Sequence, residues 1–288
     1  MATTGSYGQI IQKVWSPVFE KRKRKTHVIA NLTNQSFSGD VKDGGETVKI
    51  VEEALVTKNS SLGLGGGPIS YQDLAPSSQE LKIAYDPYIN IRLDERQRDQ
   101  IKQGDAKKVI SYAIDYGMYL LRDDVDTKLA GLYTDAGLTY TTNAVTITSS
   151  NAFQYLKYMR TIFKKANLGA YEQDWCAVLP PEWLERLELD TSNIYTIPGF
   201  EQRVNGWKGR CNGWQIFESN NLTTDANGYT WPLFLIRGQS LALAMQKEPT
   251  FKDTTRPNYY EEAYAYRIVY GCKGYRPDKF GTLPVVFG

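Results

Sequence analysis

The sequence is poor in the residues that most protein chemistry needs. Its 288 residues include a single histidine, His27. A two-histidine metal site is thereby excluded, and a Ser-His-Asp triad would have to take its base from beside the basic run at 21–25. The three cysteines, Cys176, Cys211 and Cys272, are an odd number with no CxxC pair, which argues against a disulfide framework or a zinc site and fits reduced thiols. No stretch approaches the roughly 18 apolar residues of a membrane span, and the opening MATTGSYGQIIQKVW carries no signal-peptide hydrophobic segment. These absences predict a soluble protein not exported by that route. A dominant charge is missing as well: 34 Lys and Arg against 32 Asp and Glu leave +2, so any nucleic-acid contact has to be local.

What the chain does have is one long amphipathic segment. Ile110, Ile114, Met118, Leu121, Val125, Leu129 and Leu132 are spaced by fours and threes, which draws one stripe down an α-helix and fits no β-strand. Asp105 can cap its start and Gly131 can close it. The result is a helix of about 28 residues, roughly 40 Å long at ~1.5 Å per residue. Its other face carries Lys107, Lys108, Asp115, Arg122, Asp123, Asp126 and Lys128 and reads as solvated or partner-facing. Asp123, Asp124 and Asp126 are of the right type for a metal or a general base, but such a run reads first as a charged helix face.

Ahead of the helix, residues 1–40 lack sustained periodicity and read as an arm that gains order on another surface. Its run Lys21, Arg22, Lys23, Arg24, Lys25 is a candidate for phosphate contact. Residues 41–92 read as a two-stranded excursion, with a strand at 47–51, a glycine-rich tip at 63–67 and further strand character at 69–71 and 81–85. An isolated ribbon is marginal in water, so it must lie on a surface, a neighbour's if the chain supplies none. The glycine cluster lacks the GK[ST] ending and runs into Pro68, so it is read as a loop tip rather than a phosphate loop.

Behind the helix, short strands at 137–142 and 144–148 precede a second helix with the stripe Phe153, Leu156, Met159, Phe163 and Ala166. A buried strand at 176–179, a helix at 182–187, a loop-rich stretch to 210 and short strands at 214–217, 231–236 and 241–246 form a second unit. Glu182, Glu185 and Glu188, one turn apart, read as an exposed helix edge rather than paired acid and base. In the tail, Tyr264, Tyr266, Ile268 and Tyr270 alternate as one strand face, which suits tyrosines packed on an apolar surface better than a base-stacking platform.

In this order, the segments GDVKDGGETVKI, ISYQDL, QELKIAYDPYINIRLDE, AVLPPEWLERLE, GWQIFESNNL and YRIVYGCKGYRPDKFGTLPVV resemble the major capsid proteins of tailed phages with the Hong Kong 97 type fold. The likeness lies in succession and spacing over nearly the whole chain. It implies an α+β subunit with an N-terminal arm (1–40), an extended loop (41–92), a peripheral domain with a spine helix (93–170 and 247–288) and an axial domain (171–246). It further implies a coat protein that forms hexamers and pentamers of an icosahedral head around double-stranded DNA. A scaffolding protein and a portal are its implied partners, DNA is met by non-specific contact, and no cofactor, metal, membrane or catalytic residue is implied. Location would be the virion, after assembly in the host bacterial cytoplasm. Leu62, Leu64 and Ile69 near the loop tip, with Asp123 and Asp126, are the candidate subunit contacts. The competing readings are an encapsulin-like protein-cargo compartment, a nucleic-acid binding protein using the basic arm, and, least supported, an enzyme.

Overall fold

In a computed structural model of the chain, the described residues are 24–25, 27–42, 44–51, 53–54, 56–58, 71–74, 76–94, 105–189, 207–253 and 261–287. A 3-10 turn, Ile29–Leu32, and one turn of helix, α1 (Ser38–Val41), lead to the antiparallel pair β1 (Thr47–Val51) and β2 (Ser78–Lys82). Then follow β3 (Tyr88–Asp94) and the long helix α2 (Asp105–Ala130), which passes into a 3-10 turn at Gly131–Asp135. After β4 (Leu138–Thr139) and β5 (Val145–Ile147) come α3 (Ala152–Lys165), β6 (Trp175–Leu179) and α4 (Pro181–Leu189). The remainder is strand: β7 (Trp207–Cys211), β8 (Trp214–Glu218), β9 (Leu233–Ile236), β10 (Ala242–Asp253), β11 (Glu261–Lys273), β12 (Phe280–Thr282) and β13 (Val285–Phe287).

The architecture is built on a six-stranded sheet of order β4-β12-β9-β6-β8-β7 and a three-stranded sheet of order β10-β11-β3. Strand β6 is WCAVL, apolar at every position, and all five residues are buried. Both faces of its sheet are covered, which is why its sequence runs continuously rather than alternating. Cys176 and Val178 face a core with Leu121, Val125 and Leu129 of α2. Trp175, Ala177 and Leu179 face the opposite core with Leu156, Met159 and Phe163 of α3 and Trp183 of α4. In that second core Phe163 meets Trp214 edge-on at 4.9 Å between ring centroids. The indole N–H groups of Trp183 and Trp214 donate to the Ala152 and Leu156 carbonyls at 3.3 and 3.2 Å, while the indole N–H of the equally buried Trp175 has no partner among the described residues.

The apolar stripe of α2 behaves as its spacing demands. Its C-terminal half, Leu121, Val125 and Leu129, is buried, while Ile110, Ile114, Met118 and Leu132 are half-buried. The helix crosses both sheets: Met118 packs with Ile89 of β3 and Tyr266 of β11 in the same core that takes in Leu233 and Leu235 of β9.

Three sequence expectations shift. The second helix, α3, was grouped with the spine helix; it packs instead on the far face of the six-stranded sheet, which also draws in 138–139 and 280–282. Strand β10, whose start was placed in the second unit, pairs along β11 in the three-stranded sheet. Val28, Ile29 and Leu32, placed in the arm, are 0–1% exposed and sit in the α2 core. Their apolar side chains at i, i+1 and i+4 find a surface on the chain itself.

The base of the excursion also has its own support. Val48, Ile50 and Leu81 form a small core with Val41, Ala242, Ala244 and Tyr275. Beyond β1 and β2 the Gln72 side-chain amide bonds the Thr57 backbone through both its groups, at 3.0 Å to the N–H and 2.7 Å to the carbonyl. That pair imitates a step of β-ladder and ties the two sides of the excursion together.

Candidate functional site

The side chains of interest converge where residues 24–33 cross α2. Successive residues of a helix turn by about 100°, so acids at 123, 124 and 126 point in three directions. Each meets a different element. Asp123 Oδ1 accepts from Asn221 Nδ2 at 3.0 Å and stands 3.6 Å from His27 Nε2, while its Oδ2 lies 3.9 Å from Lys25 Nζ. Asp124 Oδ2 accepts the Tyr270 hydroxyl of β11 at 2.7 Å. Asp126 accepts the backbone N–H groups of Val28 and Ala30, both at 3.0 Å, and Asn221 Nδ2 at 3.5 Å.

Asp126 has no exposed surface. Burial pushes its carboxyl above the ordinary carboxylate range, and the N–H donors of Ala30 and Val28, His27 and Asn221 pull partly the other way. The Tyr270 phenol is likewise raised, by burial first and then by the Asp124 carboxylate it donates to. Burial also raises the thiols of Cys176 and Cys272, each to about 12, which leaves both poor nucleophiles.

This geometry revises the acidic run. Asp126 was expected to reach a neighbouring subunit; its oxygens are instead consumed inside the chain, because the 28–30 segment and the loop at Asn221 cover that side of the helix. Asp123 is partly exposed but already holds the arm base. Among the described residues no group of three or more His, Cys, Asp or Glu is arranged to hold a metal. Arg24 and Lys25 of the basic run lie on Tyr119 of α2: the Arg24 guanidinium is 5.7 Å from the ring centroid, and the Lys25 backbone N–H donates to the hydroxyl at 3.0 Å. Lys21, Arg22 and Lys23, and the loop-tip residues Leu62, Leu64 and Ile69, lie outside the described residues. On the described part of the excursion Val56, Tyr71 and Leu74 are 69%, 90% and 70% exposed, an apolar surface that the chain itself leaves uncovered.

Sequence reading did not single out Asn221, Tyr119 and Tyr270 as members of one junction. Asn221 looked like a turn residue, and Tyr119 lies off the apolar stripe. Only Tyr270 gave a signal, as the last residue of an alternating strand face whose hydroxyl needs a partner when buried.

No protein-family model matches the chain, and no curated protein sequence matches it. Solved structures do. The chain is similar to a structure from Mycobacterium phage Che8, with 20% identity, 98% of each chain covered and a TM-score of 0.75. It is similar to the capsid of the cyanophage P-SCSP1u, with 13% identity, 99% of this chain and 96% of that one covered and a TM-score of 0.74. The mature capsid of bacteriophage PhiM1 gives 13% identity, 99% and 95% coverage and a TM-score of 0.74. The similarity runs from end to end of both chains in each case, so it includes the arm base, the excursion and both sheets. The chain has the α+β fold of phage capsid subunits, the Hong Kong 97 type fold that its sequence resembles.

Proposed function

We propose that this chain is the major capsid protein of a tailed phage, assembling into hexamers and pentamers of an icosahedral head that encloses double-stranded DNA. The observation that carries this reading is the end-to-end match to capsid subunits, with at least 95% of each partner chain covered. A fold shared over a single sheet would leave room for another use of the chain; a match over nearly the whole length of both chains leaves little. A shell joins copies of one chain through head-to-tail contacts that close into rings, and each contact is modest because many act together.

In this reading the division into arm, extended loop, peripheral and axial parts follows the family. The excursion bridges subunits through its exposed Val56, Tyr71 and Leu74 and through Leu62, Leu64 and Ile69 at its tip. Lys21 to Lys25 meet phosphate of the packaged DNA. A scaffolding protein, a portal and assembly in the host cytoplasm come with the resemblance.

Electron microscopy of the purified protein, alone and with a scaffold, tests the reading. Closed shells are expected; small discrete oligomers under all conditions would overturn it. Nuclease-protected genomic DNA inside particles separates a phage head from a compartment filled with enzyme.

A further inference from the structure

Where β2 ends against β11 the subunit leaves an open groove of about 410 Å³, lined by Glu80, Lys82, Ala84, Tyr85, Cys272 and Lys273. Its volume falls within the ~300–1,000 Å³ of pockets that hold ligands. Three contacts build it. Gly271 has no side chain where the Lys82 carbonyl stands, and a Cβ there would collide with it. The Tyr85 backbone bonds that of Tyr270 in both directions at 3.0 Å, and the Lys273 ammonium donates to the Glu80 carbonyl at 3.1 Å. That carbonyl is neutral and leaves the Lys273 charge uncompensated. Lys82 is exposed and makes no ion pair among the described residues. Glu80 stands directly across from Lys49 in the register of β1 and β2, which offsets its charge. Of the nearby acids, Asp124 is engaged by the Tyr270 hydroxyl and Asp135 by the Gly274 N–H. The groove therefore offers an apolar lining of Ala84, Tyr85 and Cys272 beside two cations.

The excursion carries the opposite features. Gln72 is turned back to Thr57. On either side of it Tyr71, 90% exposed, and Asp73, exposed and without an ion pair among the described residues, project outward next to Leu74. At that exposure the segment does not fill the groove of its own chain. We propose that Tyr71 and Asp73 of one copy dock in the groove of a second copy, the ring against Tyr85 and Ala84 and the carboxylate between the Lys82 and Lys273 ammonium groups. Knob and groove lie on different parts of one chain, so the contact is head-to-tail and repeats around a ring. Tyrosine is among the residues that carry most interface energy, and the ion pairs fix register more than they add affinity. The docking rests on the shell reading for its ring closure, and it supplies the surface that receives the excursion.

The test is zero-length carbodiimide cross-linking of particles assembled from a mixture of heavy-isotope-labelled and unlabelled full-length subunits, read by mass spectrometry of tryptic peptides. An amide between the Asp73 carboxyl and the Lys82 or Lys273 amine is expected, joining labelled to unlabelled peptides; the water lost in forming it leaves with the carbodiimide as a urea. Cross-links confined to same-label pairs would put the segment in the groove of its own chain and overturn the docking, as would a cross-link from Lys82 to a scaffolding protein in place of Asp73. Asp73→Lys and Lys82→Glu are each expected to raise the protein concentration needed for assembly about tenfold with Tm unchanged, and the two together to recover most of that loss. Assembly of both single variants at the wild-type concentration would overturn the docking and leave the shell reading intact. If wild-type protein forms no particles the shell reading fails by itself, and the same cross-link is then sought between soluble subunits, where its presence keeps the docking and its absence removes it.

Discussion

Replacing Asp126 is the most informative single perturbation of this fold. Asp126→Ala leaves the Val28 and Ala30 N–H groups, now donating at 3.0 Å, without acceptors in a site closed to water. Each orphaned group costs about 1–3 kcal/mol. Against this stands the relief of a buried carboxylate whose desolvation already lifts its pKa. The net loss is about 3 kcal/mol, or a fall in Tm of roughly 6–12 °C for a chain of this size. Asp126→Asn keeps one acceptor oxygen but sets an NH2 donor against the other backbone N–H, so about 1–2 kcal/mol is expected at neutral pH.

The sign of the pH dependence separates this account from simple packing. A carboxyl raised in the folded state binds its proton more tightly there than in the unfolded chain. Its contribution to stability therefore falls as pH rises from the ordinary carboxylate pKa through the raised folded value, and is flat above it. The advantage of wild type over Asp126→Asn should be largest in acid and smallest at neutral pH. Thermal unfolding followed by tryptophan fluorescence across that range measures it. Trypsin cleavage at 21–25 should quicken in Asp126→Ala, since the segment that seats Lys25 is loosened. An unchanged Tm together with unchanged cleavage would refute the argument that the arm base is held through this carboxylate.

Other substitutions test the remaining parts. Leu129→Ala empties a fully buried position between α2 and the six-stranded sheet and should cost about 2–5 kcal/mol in denaturant unfolding, with little change if the stripe were facing solvent. A Cβ on Gly137 would stand 2.6 Å from the Pro277 carbonyl oxygen, so Gly137→Ala must part the β4 end of the sheet from the 277–279 turn and lower Tm, whereas an unaffected Tm would mean that the two segments do not meet there. Both Cys176 and Cys272, raised by burial to about 12, should resist iodoacetamide at pH 8 in the native protein and label fully in denaturant; rapid native labelling of either would show that its site opens. Deleting residues 59–67 should leave a folded subunit that assembles poorly, and normal particles would remove the excursion's tip from assembly.

Much of the architecture is legible before any coordinates. The 4-4-3 spacing from Ile110 to Leu132 produces α2 with its start at Asp105. The run 176–179 forms a strand buried on both faces, and the alternation of Tyr264 to Tyr270 forms β11. What stays hidden is what depends on distant partners. Strand β3, YINIRLD, alternates as well as β11 does, yet it follows Asp86-Pro87 and reads as a lead-in to the helix until Ile89 and Ile91 are paired with Tyr266 and Tyr264. Strand β7 lies in a glycine-rich stretch and is recruited by β8 across a register shift at Gly209. The place of α3 stays hidden for a related reason: the stripe at Leu156, Met159 and Phe163 says that the helix is buried, and cannot say on which of two sheets.

The acidic run shows the limit most sharply. Three carboxylates in four residues on a helix are ordinarily solvated, because burying one costs several kcal/mol unless donors surround it. The donors here come from a segment about a hundred residues away that has a matching deficit. The first N–H groups of any helical turn lack internal partners, and the turn Ile29–Leu32 has Val28 at its cap position, a residue with no side-chain acceptor. Asp126 supplies from across the core what Ser, Thr, Asp or Asn would supply locally. Each feature is unfavourable alone, a buried acid and an uncapped turn, and they are satisfied only together. A sequence with Asp or Ser at position 28 would take over the Ala30 N–H, one of the two backbone donors Asp126 serves. Val28→Ser should therefore soften the effect of Asp126→Ala, with a coupling of about 1 kcal/mol in a double-mutant cycle; strict additivity would mean that the two sites do not share the cap.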